Sequence, residues 1–115
     1  MLSLPEISDE FMREHLGASR TYTLLLLKRT PLLASPDARP TVWEHGRRNF
    51  AMREAGLLPI VCPVLDDDQY AGVGIFNASL EEVTRWMDDD PGVKAGLFAY
   101  ELHPVRGFPG STLPA

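Results

Sequence analysis

Three aspartates in a row, Asp88, Asp89 and Asp90, close a segment of helical spacing, and Pro91 follows at once. Carbonyls at a helix C-terminus carry partial negative charge, so each carboxylate there is unfavourable by roughly 0.3–1 kcal/mol. Two readings account for the triplet. Either solvent screens all three and a plain Asp-Pro step ends the helix, or one acid is held in place for chemistry. His45 is the histidine best placed to do chemistry. At about 100° per residue, Val42, Trp43, Gly46, Phe50 and Leu57 share one helix face, and His45 lies at its edge beside Asn49 and Met52. Taken alone, a histidine at such an edge reads as structural, because the position suits an amphipathic ring.

Other reactive residue types form no pattern. Three scattered histidines and a single cysteine give neither HxxxH nor CxxC spacing, so no dedicated metal site is expected. Asp66, Asp67 and Asp68 lack the glycine and terminal glutamate of a calcium loop. Gly72-Val73-Gly74 sits inside a strand pattern with no helix start behind it, which excludes a dinucleotide loop. Cys62 reads as a small buried strand residue, since a reactive thiolate needs a cationic neighbour that the sequence does not supply. Arg47 and Arg48 read as a solvated helix face, with a substrate anion as the alternative for one of them. Glu54, nine residues after His45, projects from nearly the opposite side of the helix. His15 and His103 have no recognisable role, and Tyr22, Tyr70 and Tyr100 read as strand aromatics of the core, with a place in a cleft lining as the alternative.

These residues stand in a chain of 115 residues, 44% hydrophobic and 23% charged, with a formal charge of −5. That describes one ordinary globular domain. An acidic chain without a basic stripe speaks against nucleic-acid binding. No apolar run approaches the ~20 residues of a membrane span, and the N-terminus lacks the basic and apolar regions of a signal peptide. One cysteine allows no intrachain disulfide, so a reducing cytoplasm is the expected home.

The elements that must position the candidates follow from local signals. Residues 8–16 form a short leading helix capped by Ser8 or Asp9, inside an N-terminal leader of residues 1–20. Residues 21–29, TYTLLLLKR, form a strand whose four consecutive leucines predict burial on both faces. After a proline-rich loop over 30–40, Thr41 and Glu44 predict a capping box and a helix running to Ala55, with Gly56 as its C′ residue. Residues 58–65 form a second strand interrupted by two prolines, which makes it an edge strand or an irregular one. Asp66 to Gln69 turn the chain into a third strand over 70–78. Ser79 and Glu82 cap a helix that reaches the aspartates, and residues 97–105 form a fourth strand with Phe98, Tyr100 and Leu102 on one face. Residues 107–115 are an extended tail. The order β-α-β-β-α-β is that of a ferredoxin-like α+β fold. Two helices cover one face of a four-stranded sheet, so the second apolar face predicts a homodimer packed sheet to sheet.

Within that frame, EHGRRNFAMREAGLLPIVCP followed by DDDPGVKAGLFAYELHP resembles the YciI-like (YCII-related) family of the dimeric α/β-barrel superfamily. The family pattern has a histidine early in the first helix, a glycine eleven residues later, a Gly-Pro pair in strand two and an Asp-Pro-x-x-x-x-Gly segment before strand four. Here these are His45, Gly56, Cys62-Pro63, and Asp90-Pro91 through Gly96. The match spans roughly residues 21–106. Cys62 departs from the usual glycine, and Gly46 and Asn49 replace commonly apolar helix positions, changes that enlarge or repolarise a cleft.

The resemblance implies a cofactor-free dimer with a His–Asp pair between helices and sheet. Asp90 would accept from His45 Nδ1–H, fix the tautomer and leave Nε2 as the base. Asn49, Met52, Cys62 and Arg48 are the expected lining of the substrate cleft. The implied chemistry is of lyase, isomerase or dehydrochlorinase type on a small cyclic or aromatic molecule. A non-catalytic module binding a small molecule or a partner in the same cleft is the rival reading, and an orphan dimer that merely assembles is a third.

Overall fold

The computed structural model describes residues 2–67 and 69–115. Ser8 accepts a hydrogen bond from the Phe11 amide and starts α1, Asp9–Gly17. None of the residues of α1 is buried. Then come β1 (Arg20–Arg29), a 3-10 turn over Pro31–Ala34, α2 (Ala38–Glu54), β2 (Ile60–Pro63), β3 (Tyr70–Phe76), α3 (Leu80–Asp88), α4 (Pro91–Lys94) and β4 (Phe98–Gly107). The strand order is β2-β3-β1-β4 and every pairing is antiparallel. This is the ferredoxin-like α+β arrangement, with β2 at an edge, where Pro63 is tolerated. Of the expected Asp66–Gln69 turn, Asp68 lies outside the described residues. Asp67 accepts from the amides of Gln69 (2.6 Å) and Tyr70 (2.8 Å), and these bonds hold its carboxyl below the usual range.

Burial alternates along β1. Thr23, Leu25 and Leu27 are buried under the helices with Leu58, Phe76, Val83, Met87, Leu97 and Phe98, whereas Leu24 and Leu26 are half-buried on the other face. Opposite them stand Ile75 and Val73 of β3, and Ile60 and Cys62 of β2 continue the same face. In the single chain, then, the leucine run is covered on one side only.

Helix ends follow the local signals with two exceptions. Ser79 and Glu82 form the reciprocal capping box at the start of α3. Gly56, at φ +76°, closes α2, with Leu57 N–H donating to Met52 O (2.9 Å) and Gly56 N–H to Arg53 O (3.0 Å). Any side chain at Gly56 meets the left-handed penalty, so Gly56→Ala is expected to cost about 1–2 kcal/mol in chemical denaturation. The first exception is the Thr41–Glu44 box. α2 begins three residues earlier, at Ala38, so Thr41 lies inside the helix and Pro40 sits in its first turn, where a missing N–H costs nothing. The second is Pro91, which begins α4 instead of merely ending α3; Asp90 is the N-cap of that turn.

The facing of α2 also differs from the pattern. Its buried stripe is Ala38, His45 and Met52, spaced by seven, while Trp43 is 71% and Phe50 61% exposed. Trp43 and Phe50, which share one helix face in the sequence pattern, thus face outward. This orientation brings His45 against a buried polar partner, described next.

Candidate active site

α2 brings His45 over the sheet, and the α3–α4 junction brings Asp90 to meet it. The carboxylate is completely buried, and the histidine ring nearly so. His45 Nδ1 lies 2.9 Å from both Asp90 oxygens. Asp90 Oδ2 also accepts from the amides of Gly92 (2.9 Å) and Val93 (3.2 Å). One side chain therefore caps a helix turn and fixes an imidazole. Burial pushes the Asp90 carboxyl up, but the hydrogen bond and charge of His45 with the two amides outweigh it, and the net direction is down. The acid that looked misplaced at a helix C-terminus serves the N-terminus of the next turn, where negative charge is favourable.

Gly92 makes the geometry possible. A Cβ there would stand 2.6 Å from Phe98 Cδ2 and 3.1 Å from Asp90 Oδ2. Phe98 in turn packs against the His45 ring, centroids 4.8 Å apart. Gly92→Ala is expected to lower stability by about 1–3 kcal/mol, the scale of overpacking, and to shift the His45 ring signals by NMR; unshifted signals would mean the ring is not held from this side.

The other two acids also have partners. Asp88 accepts from the Tyr100 hydroxyl, and burial together with that bond pushes Tyr100 up to about 12. Asp89 pairs with Lys94 at 2.7 Å on the surface. Both acids are exposed to solvent, and Asp88 also ties α3 to β4 through Tyr100.

With Nδ1–H directed at Asp90, Nε2 carries the ring's lone pair. Asn49, one turn further along α2, places Nδ2 3.2 Å from it, the geometry of an amide N–H donating to Nε2. Beyond lies a cleft of about 450 Å³, within the range of small-molecule sites. Its walls are mainly apolar (Leu25, Leu27, Val42, Val61, Phe98 among them), and His45, Asn49 and Arg29 supply polarity.

Of the expected lining residues, Asn49 and Cys62 border this cleft, and Met52 and Arg48 do not. Met52 belongs to the core, because it follows His45 by two turns on the buried stripe. Arg48 lies behind the pair. Its Nη1 is buried, 3.8 Å from Asp90 Oδ1, and has no hydrogen-bond partner among the described residues. Its charge therefore stands near the carboxylate without bonding to it. The sequence reading did not single out Arg29, Gly92 or Phe98 for the site. Arg29 ends a strand and gave no signal. Asp90-Pro91-Gly92, in contrast, fits an N-cap followed by proline at N1, a pattern that could have located the cap. Among the described residues no group of three or more His, Cys, Asp or Glu side chains is arranged to hold a metal. No helix among them is long and apolar enough to cross a membrane.

No protein-family model matches the chain, and no curated protein matches it. Among solved structures, one that it resembles is 5-chloro-2-hydroxyhydroquinone dehydrochlorinase (TftG) from Burkholderia phenoliruptrix AC1100 in complex with 2,5-dihydroxybenzoquinone. The two are 25% identical over 70% of this chain and 90% of that one, with a TM-score of 0.46.

Proposed function

We propose that the chain is a cofactor-independent enzyme of the YciI-like kind that uses His45 and Asp90 for acid/base chemistry on a small cyclic or aromatic molecule. One observation carries the reading: a buried, hydrogen-bonded carboxylate orients an imidazole whose second nitrogen faces an apolar cleft of small-molecule size. Nε2 takes a proton from substrate, and Asp90 stabilises the imidazolium that results. The same nitrogen, once protonated, returns the proton to a leaving group or to carbon, as lyase, isomerase or dehydrochlorinase chemistry requires. The test is a panel of hydroxylated cyclic and aromatic compounds, followed for turnover and for perturbation of the His45 ring resonances. Turnover abolished by His45→Ala supports the enzyme, and absence of both turnover and ring perturbation across the panel counts against it.

A second reading, a non-catalytic binding module, is favoured by Asn49. Its amide already satisfies Nε2, as befits a histidine that is only structural. Under that reading compounds perturb the ring resonances without turnover.

The protomer is proposed to dimerise through the half-covered face that carries Leu24, Leu26, Val73 and Ile75. Light scattering is expected to give twice 12.8 kDa, and a stable monomer at micromolar concentration would refute the sheet-to-sheet pairing. The cytoplasm is the proposed compartment, since the half-buried free thiol of Cys62 stays reduced there.

A further inference from the structure

α2 turns an apolar face away from its own sheet. Val42, Trp43, Gly46 and Phe50, with Leu33 of the 3-10 turn, line an open groove of about 600 Å³ rimmed by Arg39 and Arg47. Exposed aromatic side chains two helical turns apart form a patch of the kind that marks an association site. The groove shares Leu33, Val42, Gly46 and Phe50 with the cleft beside His45, so whatever fills it also closes that cleft.

The leader has the complementary properties. Leu2 is 80% and Leu4 72% exposed, Ile7, Phe11, Met12 and Leu16 are exposed as well, and α1 buries nothing. Its charged residues are Glu6, Asp9, Glu10 and Glu14 against Arg13 alone, whereas α2 carries Arg39, Arg47, Arg48 and Arg53 against Glu44 and Glu54. The radius of gyration is 16.9 Å, where a compact chain of this length has about 13 Å. Segments of the chain therefore project from the body, as an apolar arm does when its seat is elsewhere. Its own groove is poorly placed to receive it. The leader enters β1 at Arg20, while the groove flanks the turn that follows Arg29, about 30 Å away along the strand.

We propose that the leader, residues 2–17, docks into the α2 groove of a second copy of this chain, its apolar side chains on Trp43 and Phe50 and its acids toward Arg39 and Arg47. Each protomer then supplies the outer wall of its partner's cleft.

The experiment uses the full chain with Met12 replaced by the photo-crosslinker benzoylphenylalanine. Nitrogen-14 and nitrogen-15 preparations are refolded together, irradiated and mapped by mass spectrometry. The expected product joins the leader to the α2 peptide, with about half of the linked pairs combining a heavy and a light chain. A second preparation carries Trp43→Glu and Phe50→Glu, both exposed positions, and its circular dichroism is expected to match that of the parent chain. In it the α2 crosslink is expected to fall at least tenfold. Crosslinks confined within single chains would overturn the exchange in favour of an arm folded back on itself. Crosslinks to another surface, no crosslinks, or a crosslink that survives the double substitution would overturn the groove assignment.

Discussion

Asp90→Ala is expected to destabilise the protein by about 3–5 kcal/mol, since each donor left without an acceptor costs about 1–3 kcal/mol. The figure is large because the carboxylate has three dependants. His45 Nδ1–H and the amides of Gly92 and Val93 all donate to it, and in the variant all three lose their acceptor, the first two in buried positions. Total stability of a domain of this size is about 5–15 kcal/mol, so much of it would go. Urea unfolding should show a lower midpoint with an unchanged slope. Asp89→Ala, which removes only an exposed pair with Lys94, should leave the midpoint where it is. Equal effects of the two substitutions would contradict the role of Asp90. The pH dependence has a definite sign. A carboxyl held below its ordinary value contributes stability that is complete above about pH 4, where an unfolded aspartate is ionised. That contribution drains as the pH falls through the lowered folded value. The acid-unfolding curve of a variant lacking the carboxylate should be correspondingly shallower.

Asp90→Asn separates the two tasks of this side chain. Asparagine caps helices about as well as aspartate, so stability should fall much less than in the alanine variant. Its single carbonyl oxygen is claimed by the amides of Gly92 and Val93, which leaves an NH₂ group facing His45 Nδ1. The neutral ring must then accept at Nδ1 and carry its proton on Nε2, and the Asn49 amide has to turn over to receive it. Nitrogen-15 NMR of the ring should report the exchange of protonated and unprotonated positions. Any activity that uses Nε2 as a base should fall by about 10⁴-fold, the scale of a histidine held in the wrong tautomer. A variant with the Nε2 lone pair retained would show that Asp90 does not set the tautomer.

The sequence by itself determined what depends on neighbours along the chain. Ser8, the Ser79–Glu82 box and Gly56 mark helix ends because their bonds close within a few residues. The prolines around Cys62 mark an edge strand for an equally local reason, the missing N–H donors. From these follow the element order and, through it, the strand order. His45 and Asp90 were legible as a pair only through the family resemblance, because nothing local relates residues 45 apart.

Tertiary structure alone decided three things. It gave Asp90 to the helix that follows it, since Asp-Pro reads equally as a stop and as a cap until the next turn finds something to pack on. It turned α2 so that His45 and Met52 face inward and Trp43 and Phe50 outward, against the pattern of apolar residues along the helix. Hydrophobic spacing fixes a facing only when no polar contact competes, and here a buried carboxylate binds the histidine. It also removed Met52 and Arg48 from the cleft lining and brought in Arg29, because pocket walls are assembled from elements distant in sequence, whose meeting depends on the packing of the whole chain.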